Sequence, residues 1–138
     1  MKVVLQVFLL FALSLSVIHA EEFRDVVTIS LKKDELKKIL VKYGAISKLL
    51  KFRWTLYKND GLVIHRSYDR VVAQNILYLE YASNSFIVVL KPRGTKYYKA
   101  PYMLVKFKEF DFEKEEAIFD LLLSDKSMSL ELKYLKNN

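Results

Sequence analysis

His65 is the only histidine beyond residue 20, so a metal site or proton relay built from two imidazoles has no material in the body of the chain. Arg66, Asp69 and Arg70 are close in sequence, and a His–Asp pair for acid–base work is the one combination of that kind at hand. The plainer reading places His65 on the solvated side of a strand, opposite in phase to Leu62 and Ile64. The carboxylates Glu109, Asp111, Glu113, Glu115 and Glu116 could attract a hard cation. Lys106, Lys108 and Lys114 are interleaved with them, and the spacing of a calcium loop is missing, so they read as a strand end followed by a charged helix start.

Nucleophile motifs are missing as well. No serine lies in a Gly-x-Ser-x-Gly elbow or a Ser-x-x-Lys context, and three glycines in 138 residues do not build a phosphate-cradling loop. With no cysteine there is no thiol chemistry, no disulfide and no lipid attachment through cysteine. The expectation is a noncatalytic protein without metal or cofactor, in which a small hydrolase ranks below the binding roles.

The segment with the strongest binding character is Lys91-Pro92-Arg93-Gly94-Thr95-Lys96-Tyr97-Tyr98-Lys99-Ala100-Pro101-Tyr102. Lys91, Arg93, Lys96 and Lys99 can pair with phosphate or carboxylate, while Tyr97, Tyr98 and Tyr102 offer flat faces at low entropic cost. Two prolines bracket the run and mark it as a connection. It is expected to engage a protein or an anionic envelope component. Nucleic acid suits the same composition, but the export signal described below argues against it. Lys48, Lys51 and Arg53 form a second basic group, read as keeping one sheet face wet. Trp54 is expected in the core. If the sheet curves around a cavity instead, Trp54, Phe86, Val88 and Phe107 would line it, and the protein would carry a small apolar ligand.

These residues need a frame. Val27, Ile29 and Leu31 alternate with polar neighbours, predicting a strand from Phe23 to Leu31. Leu36, Ile39, Leu40 and Tyr43 fall at helical spacing with Lys37, Lys38 and Lys42 facing away and Gly44 as a stop, predicting a helix. Leu50, Phe52, Trp54 and Leu56 alternate with Lys51, Arg53, Thr55 and Tyr57, the clearest strand in the sequence. Asn59-Asp60-Gly61 reads as a tight hairpin into Leu62–Tyr68. Further strands are expected over Val71–Tyr81, Ser85–Lys91 and Tyr102–Phe112, a second helix over Glu113–Leu123, and a last strand around Leu130–Tyr134.

Short connections favour antiparallel neighbours, so the expected fold class is α+β: a curved antiparallel sheet of six to seven strands with two short helices on one face. A strand, a helix, several strands and a helix in that order resembles the helix-grip folds, which close over an apolar cavity; the final strand departs from that order. An outer-membrane barrel also shows alternating strands, but two helices and fewer than eight strands speak against it.

The first twenty residues carry the compartment argument. Met1-Lys2 is a short positive start, Val3–Val17 is apolar except for Gln6, Ser14 and Ser16, and Ile18-His19-Ala20 offers a small residue before a cut. That pattern predicts a cleaved signal peptide over 1–20 and a single globular domain over 21–138, exported to the periplasm or outside the cell, soluble and not a lipoprotein. A retained anchor is the rival reading, but the run is short of the roughly 20 apolar residues that span a bilayer. With Lys2 removed, 22 cations face 16 anions, a net charge of +6. A hydrophobic content of 52% is enough to build one core.

Overall fold

The computed structural model describes residues 23–90, 96, 100–124 and 130–136. They form nine strands: β1 (Phe23–Lys32), β2 (Lys37–Tyr43), β3 (Ile46–Lys58), β4 (Gly61–Tyr68), β5 (Val71–Tyr78), β6 (Ser85–Val89), β7 (Tyr102–Asp111), β8 (Glu116–Ser124) and β9 (Glu131–Leu135). All pairs are antiparallel, in a four-stranded sheet of order β1-β8-β7-β6 and a five-stranded sheet of order β5-β4-β3-β2-β9. The inner faces pack against each other in a β-sandwich. Phe52 of β3 reaches across to Phe86 on β6 and Phe119 on β8, with ring centroids 6.2 and 5.8 Å away in edge-to-face geometry.

The α+β expectation is therefore wrong, and with it the resemblance to helix-grip folds: the described residues contain no helix. Both predicted helices are strands. In β2 the register sets Ile39, Val41 and Tyr43 on the inner face and Lys38, Leu40 and Lys42 on the outer one. Val41, fully buried, is the residue that decides it, because the helical stripe leaves it out. Branching at Cβ makes Ile39 and Val41 better suited to a pleated surface than to a helix turn. In β8, Ala117, Phe119, Leu121 and Leu123 are buried with a period of two. The acids expected to start a helix belong to the β7–β8 hairpin, where Asp111 Oδ1 accepts the backbone N–H groups of Glu113 and Lys114 at 3.0 Å each.

The count of nine strands and the lack of helices also remove both sequence grounds for setting aside a membrane barrel. What speaks against one is the outward side of the two sheets. Lys38, Lys51, Arg53, Glu116 and Asp120 point there, where the lipid-facing residues of such a barrel are apolar. No helix among the described residues is long and apolar enough to cross a membrane.

Two buried hydrogen bonds join the layers. Trp54 Nε1–H donates to the Leu31 carbonyl at 2.7 Å, and the Tyr68 hydroxyl donates to the Leu90 carbonyl at 2.7 Å. Burial, and then the neighbouring Tyr43 hydroxyl, push the Tyr68 hydroxyl's pKa up, so it stays a donor at any physiological pH. The Tyr43 hydroxyl lies close enough to act on Tyr68 electrostatically but is buried outside hydrogen-bonding geometry. On the opposite side, Arg24 Nη1 donates to the Leu130 carbonyl at 3.3 Å and ties β1 to the approach to β9.

Tight turns complete the frame. Asn59 and Asp60 have φ of 51° and 61°, and Asp69 and Arg70 have 48° and 67°; each pair is a two-residue hairpin loop of the type that matches strand twist. Gly61 follows the first loop because a Cβ there would lie 2.9 Å from the Tyr78 ring.

Candidate functional site

The outer face of the five-stranded sheet gathers cations from three strands, β2, β3 and β9. Cross-strand register puts Lys38 beside Lys51, and Lys42 four residues further along β2 with Leu40 between them on that face; Arg53 lies beside His65, and Lys58 and Lys133 stand at the periphery of the same face. Glu131, opposite Lys42, is the carboxylate on that face. None of these six cations forms an ion pair with a described residue. Their charge is left to solvent or to a partner. Between them stand Leu40, Leu49, Val63 and the half-exposed Leu56 and Ile76, so the face is basic with apolar side chains interspersed.

The outer face of the four-stranded sheet is different. Lys32, Lys106 and Lys108 share it with Glu109, Asp111, Glu116 and Asp120, so cations and carboxylates nearly balance there. Thr28 donates to Asp120 and Ser30 to Glu116, at 2.6 Å each, and Lys108 pairs with Asp120 at 3.5 Å. The molecule is thus polarised: one broad face is uncompensated positive and the other nearly neutral.

Of the expected second basic group, Lys51 and Arg53 belong to the cationic face. Lys48 does not; in phase with Leu50 it points to the inner side and forms an ion pair with Asp69. Lys38, Lys42, Lys58 and Lys133 were missed as members of this face. For Lys38 and Lys42 the signal that could have found them is a period of two in β2, hidden by reading that segment as a helix; Lys58 and Lys133 join the face only through the β3 bulge and the β2–β9 pairing. In the basic tyrosine segment, Lys91, Arg93, Tyr97, Tyr98 and Lys99 lie outside the described residues. Lys96 is exposed, and Tyr102 starts β7 with its ring edge-to-face against Phe23 at 6.4 Å.

His65 sits on the outer face between Arg53 and Gln74. Asp69 is four residues further along, about 13 Å at the rise of an extended strand, and is engaged by Lys48. The His–Asp pair considered from the sequence is not assembled. Among the described residues no group of three His, Asp or Glu side chains could hold a metal. Arg66 points inward: its guanidinium lies over the Phe86 ring at 5.1 Å, Nε donates to Asn75 Oδ1 at 2.9 Å, and burial lowers its pKa.

No known protein family, curated protein or solved structure matches this chain.

The four side chains considered as a cavity lining, Trp54, Phe86, Val88 and Phe107, are all buried in the sandwich core. Trp54 also lines an open cleft of about 400 Å³ at one end of the sandwich, with Lys33, Leu56, Tyr57, Phe110, Phe112 and Glu115. A bulge in β3 between Trp54 and Leu56 borders it. The bulge turns Tyr57 inward to stack on Phe110 at 4.2 Å and Leu56 outward, the reverse of a strict alternation. Phe112 is 73% exposed at the cleft mouth. Burial, and then the charge and hydrogen bonding of Asp60, push the Tyr57 hydroxyl's pKa up.

Proposed function

We propose that this protein is an exported, noncatalytic binding domain that engages an anionic component of the cell envelope through the outer face of its five-stranded sheet. The observation that carries the reading is the group Lys38, Lys42, Lys51 and Arg53 on adjacent strands of one face, without ion pairs to described residues. Such an array favours closely spaced phosphate or carboxylate groups, and the interspersed Leu40, Leu49 and Leu56 add apolar contact. The run Lys91–Tyr102 is proposed to add cations and tyrosines to the same interaction. Export is supported by the charged, apolar and small-residue pattern of residues 1–20.

The test is binding of the protein to vesicles containing phosphatidylglycerol, to vesicles of phosphatidylcholine alone, and to soluble polyphosphate. Lipid headgroups and a phosphate polymer share the recognised chemistry, and these arms tell them apart. Each cation near an anionic surface contributes about 1 kcal/mol, so changing Lys38, Lys51 and Arg53 together to Gln should weaken binding about 100-fold. Changing Lys32, Lys106 and Lys108 to Gln on the other sheet should leave it within about threefold. Equal losses for the two triple variants would mean that net charge, not this face, does the binding.

A second reading, a carrier of a small apolar ligand, is favoured by the cleft beside Phe112. Trp54 is the only tryptophan and borders it, so a bound ligand should shift its emission, and Phe112→Ala should weaken that response. No response to a panel of apolar probes would remove the carrier reading.

A further inference from the structure

Exposed edge strands invite pairing with another chain, and natural proteins blunt them with charges, prolines, bulges or brevity. Three of the four sheet edges here fit that pattern: β1 carries Arg24 and Lys32, β9 carries Glu131 and Lys133, and β6 is five residues long. Strand β5, Val71-Val72-Ala73-Gln74-Asn75-Ile76-Leu77-Tyr78, does not. It holds no charge, proline or glycine in eight residues of a chain that is 28% charged. Its pairing with β4 is regular from end to end, so no bulge twists the edge away; only at its last residue, where the Tyr78 N–H donates to the Ser83 carbonyl at 3.3 Å, does the chain's own turn cover it. Val71, Val72 and Ile76 are 53%, 78% and 46% exposed.

The strand is also complementary to itself. Directly opposed residues of antiparallel strands share a sheet face, so two copies can join only in a register that opposes even with even and odd with odd positions. With the two-fold axis through Gln74, Val72 faces Ile76 of the second copy on the outer side. Val71 faces Leu77, Ala73 faces Asn75, and Gln74 faces its own counterpart. The exposed turn residue Arg70 then faces Tyr78 of the second copy. The nearest cation of the Gln74 row on the basic face is Arg53, two strands inward. Two Arg53 side chains in the joined sheet are five strand spacings apart, about 24 Å, well beyond the screening length of about 8 Å at physiological salt.

We propose that a second copy of this chain pairs antiparallel along β5 about an axis through Gln74, fusing two five-stranded sheets into one of ten strands. The closure is isologous and uses up both β5 edges, so it ends at the dimer. It also lays both outer faces on one side. If the anionic-envelope reading holds, the dimer presents two basic faces to the same surface and gains avidity. The pairing itself does not depend on that reading.

The chain has no cysteine, which makes a register-specific test available. Opposed residues of antiparallel strands have Cα atoms about 4.5–5.5 Å apart, within disulfide range, so Gln74→Cys should cross-link to its own counterpart under mild oxidation. Val72→Cys should not, because its counterpart lies four residues away along the partner strand. Sedimentation of the unmodified chain should show its mass rising from one copy towards two as concentration increases. Val72→Lys with Ile76→Lys should keep it monomeric with an unchanged β-sheet spectrum, and Val26→Lys on the other sheet should leave the dimer intact. A monomer at every concentration together with no Gln74→Cys cross-link would overturn the proposal, as would equal cross-linking of Val72→Cys.

Discussion

Asp111 shows how one carboxylate organises a hairpin. It receives the backbone N–H of Glu113 and of Lys114, and Lys114 Nζ stands 3.7 Å from Oδ2. The Lys114 backbone hydrogen bond, with further help from Glu113 and the lysine charge, holds its pKa below the ordinary 3.8. A carboxylate with a lower pKa in the folded than in the unfolded chain stabilises the fold fully above the unfolded value. It loses that contribution as pH falls through the folded one. Melting temperatures of the unmodified protein and Asp111→Asn should therefore differ most above pH 4 and converge as pH drops below it. A difference that does not change with pH would show that the carboxylate's charge is not what holds the turn. The same residue explains a misreading of the sequence. Glu113, Glu115 and Glu116 before an apolar run signal a helix start through the dipole, yet here they follow Asp111 through the turn it caps into β8.

At the scale of elements, turns and bulges determine which face each side chain reaches. Gly44 has φ of +57° in the β2–β3 hairpin, and nothing lies within 4 Å of where its Cβ would be. Gly44→Ala should destabilise the protein by about 1 kcal/mol through backbone conformation alone, measured by urea denaturation. No loss would mean that the hairpin relaxes to another turn. The strands with clean alternation were legible: β1, β3 up to Trp54 and β9 fall where apolar and polar residues take turns, and β4 follows from the hairpin before it. The Asn59–Gly61 hairpin was legible from its composition. β5, β6 and β7 were placed as strands as well, each ending one to three residues earlier than expected, whereas β2 and β8, which also carry apolar residues on both faces, were read as helices. In β2, Leu40 on the outer face next to Ile39 and Val41 on the inner face mimics a helical stripe; in β8, Ile118 and Leu122 do the same beside Phe119 and Leu121. The β3 bulge left no mark in the hydrophobic pattern, so the exchange of Leu56 and Tyr57 between faces could not be read in advance.

The whole molecule is a polarised sandwich whose basic face exists only once β2, β3, β4 and β9 lie side by side. Reading the sequence linearly finds Lys51 and Arg53 together, but Lys38, Lys42 and Lys133 join them through register, and Lys48 leaves them for the same reason. Where an anionic partner touches the domain therefore decides whether this face is the binding surface. Amide chemical shifts of the labelled protein titrated with polyphosphate test this directly. The prediction is that shifts concentrate on Lys38, Leu40, Lys51, Arg53 and His65 and weaken as salt is raised, while Thr28, Ser30, Ile118 and Asp120 stay unmoved. Shifts confined to the β1–β8 face, or to residues 91–102 alone, would contradict it.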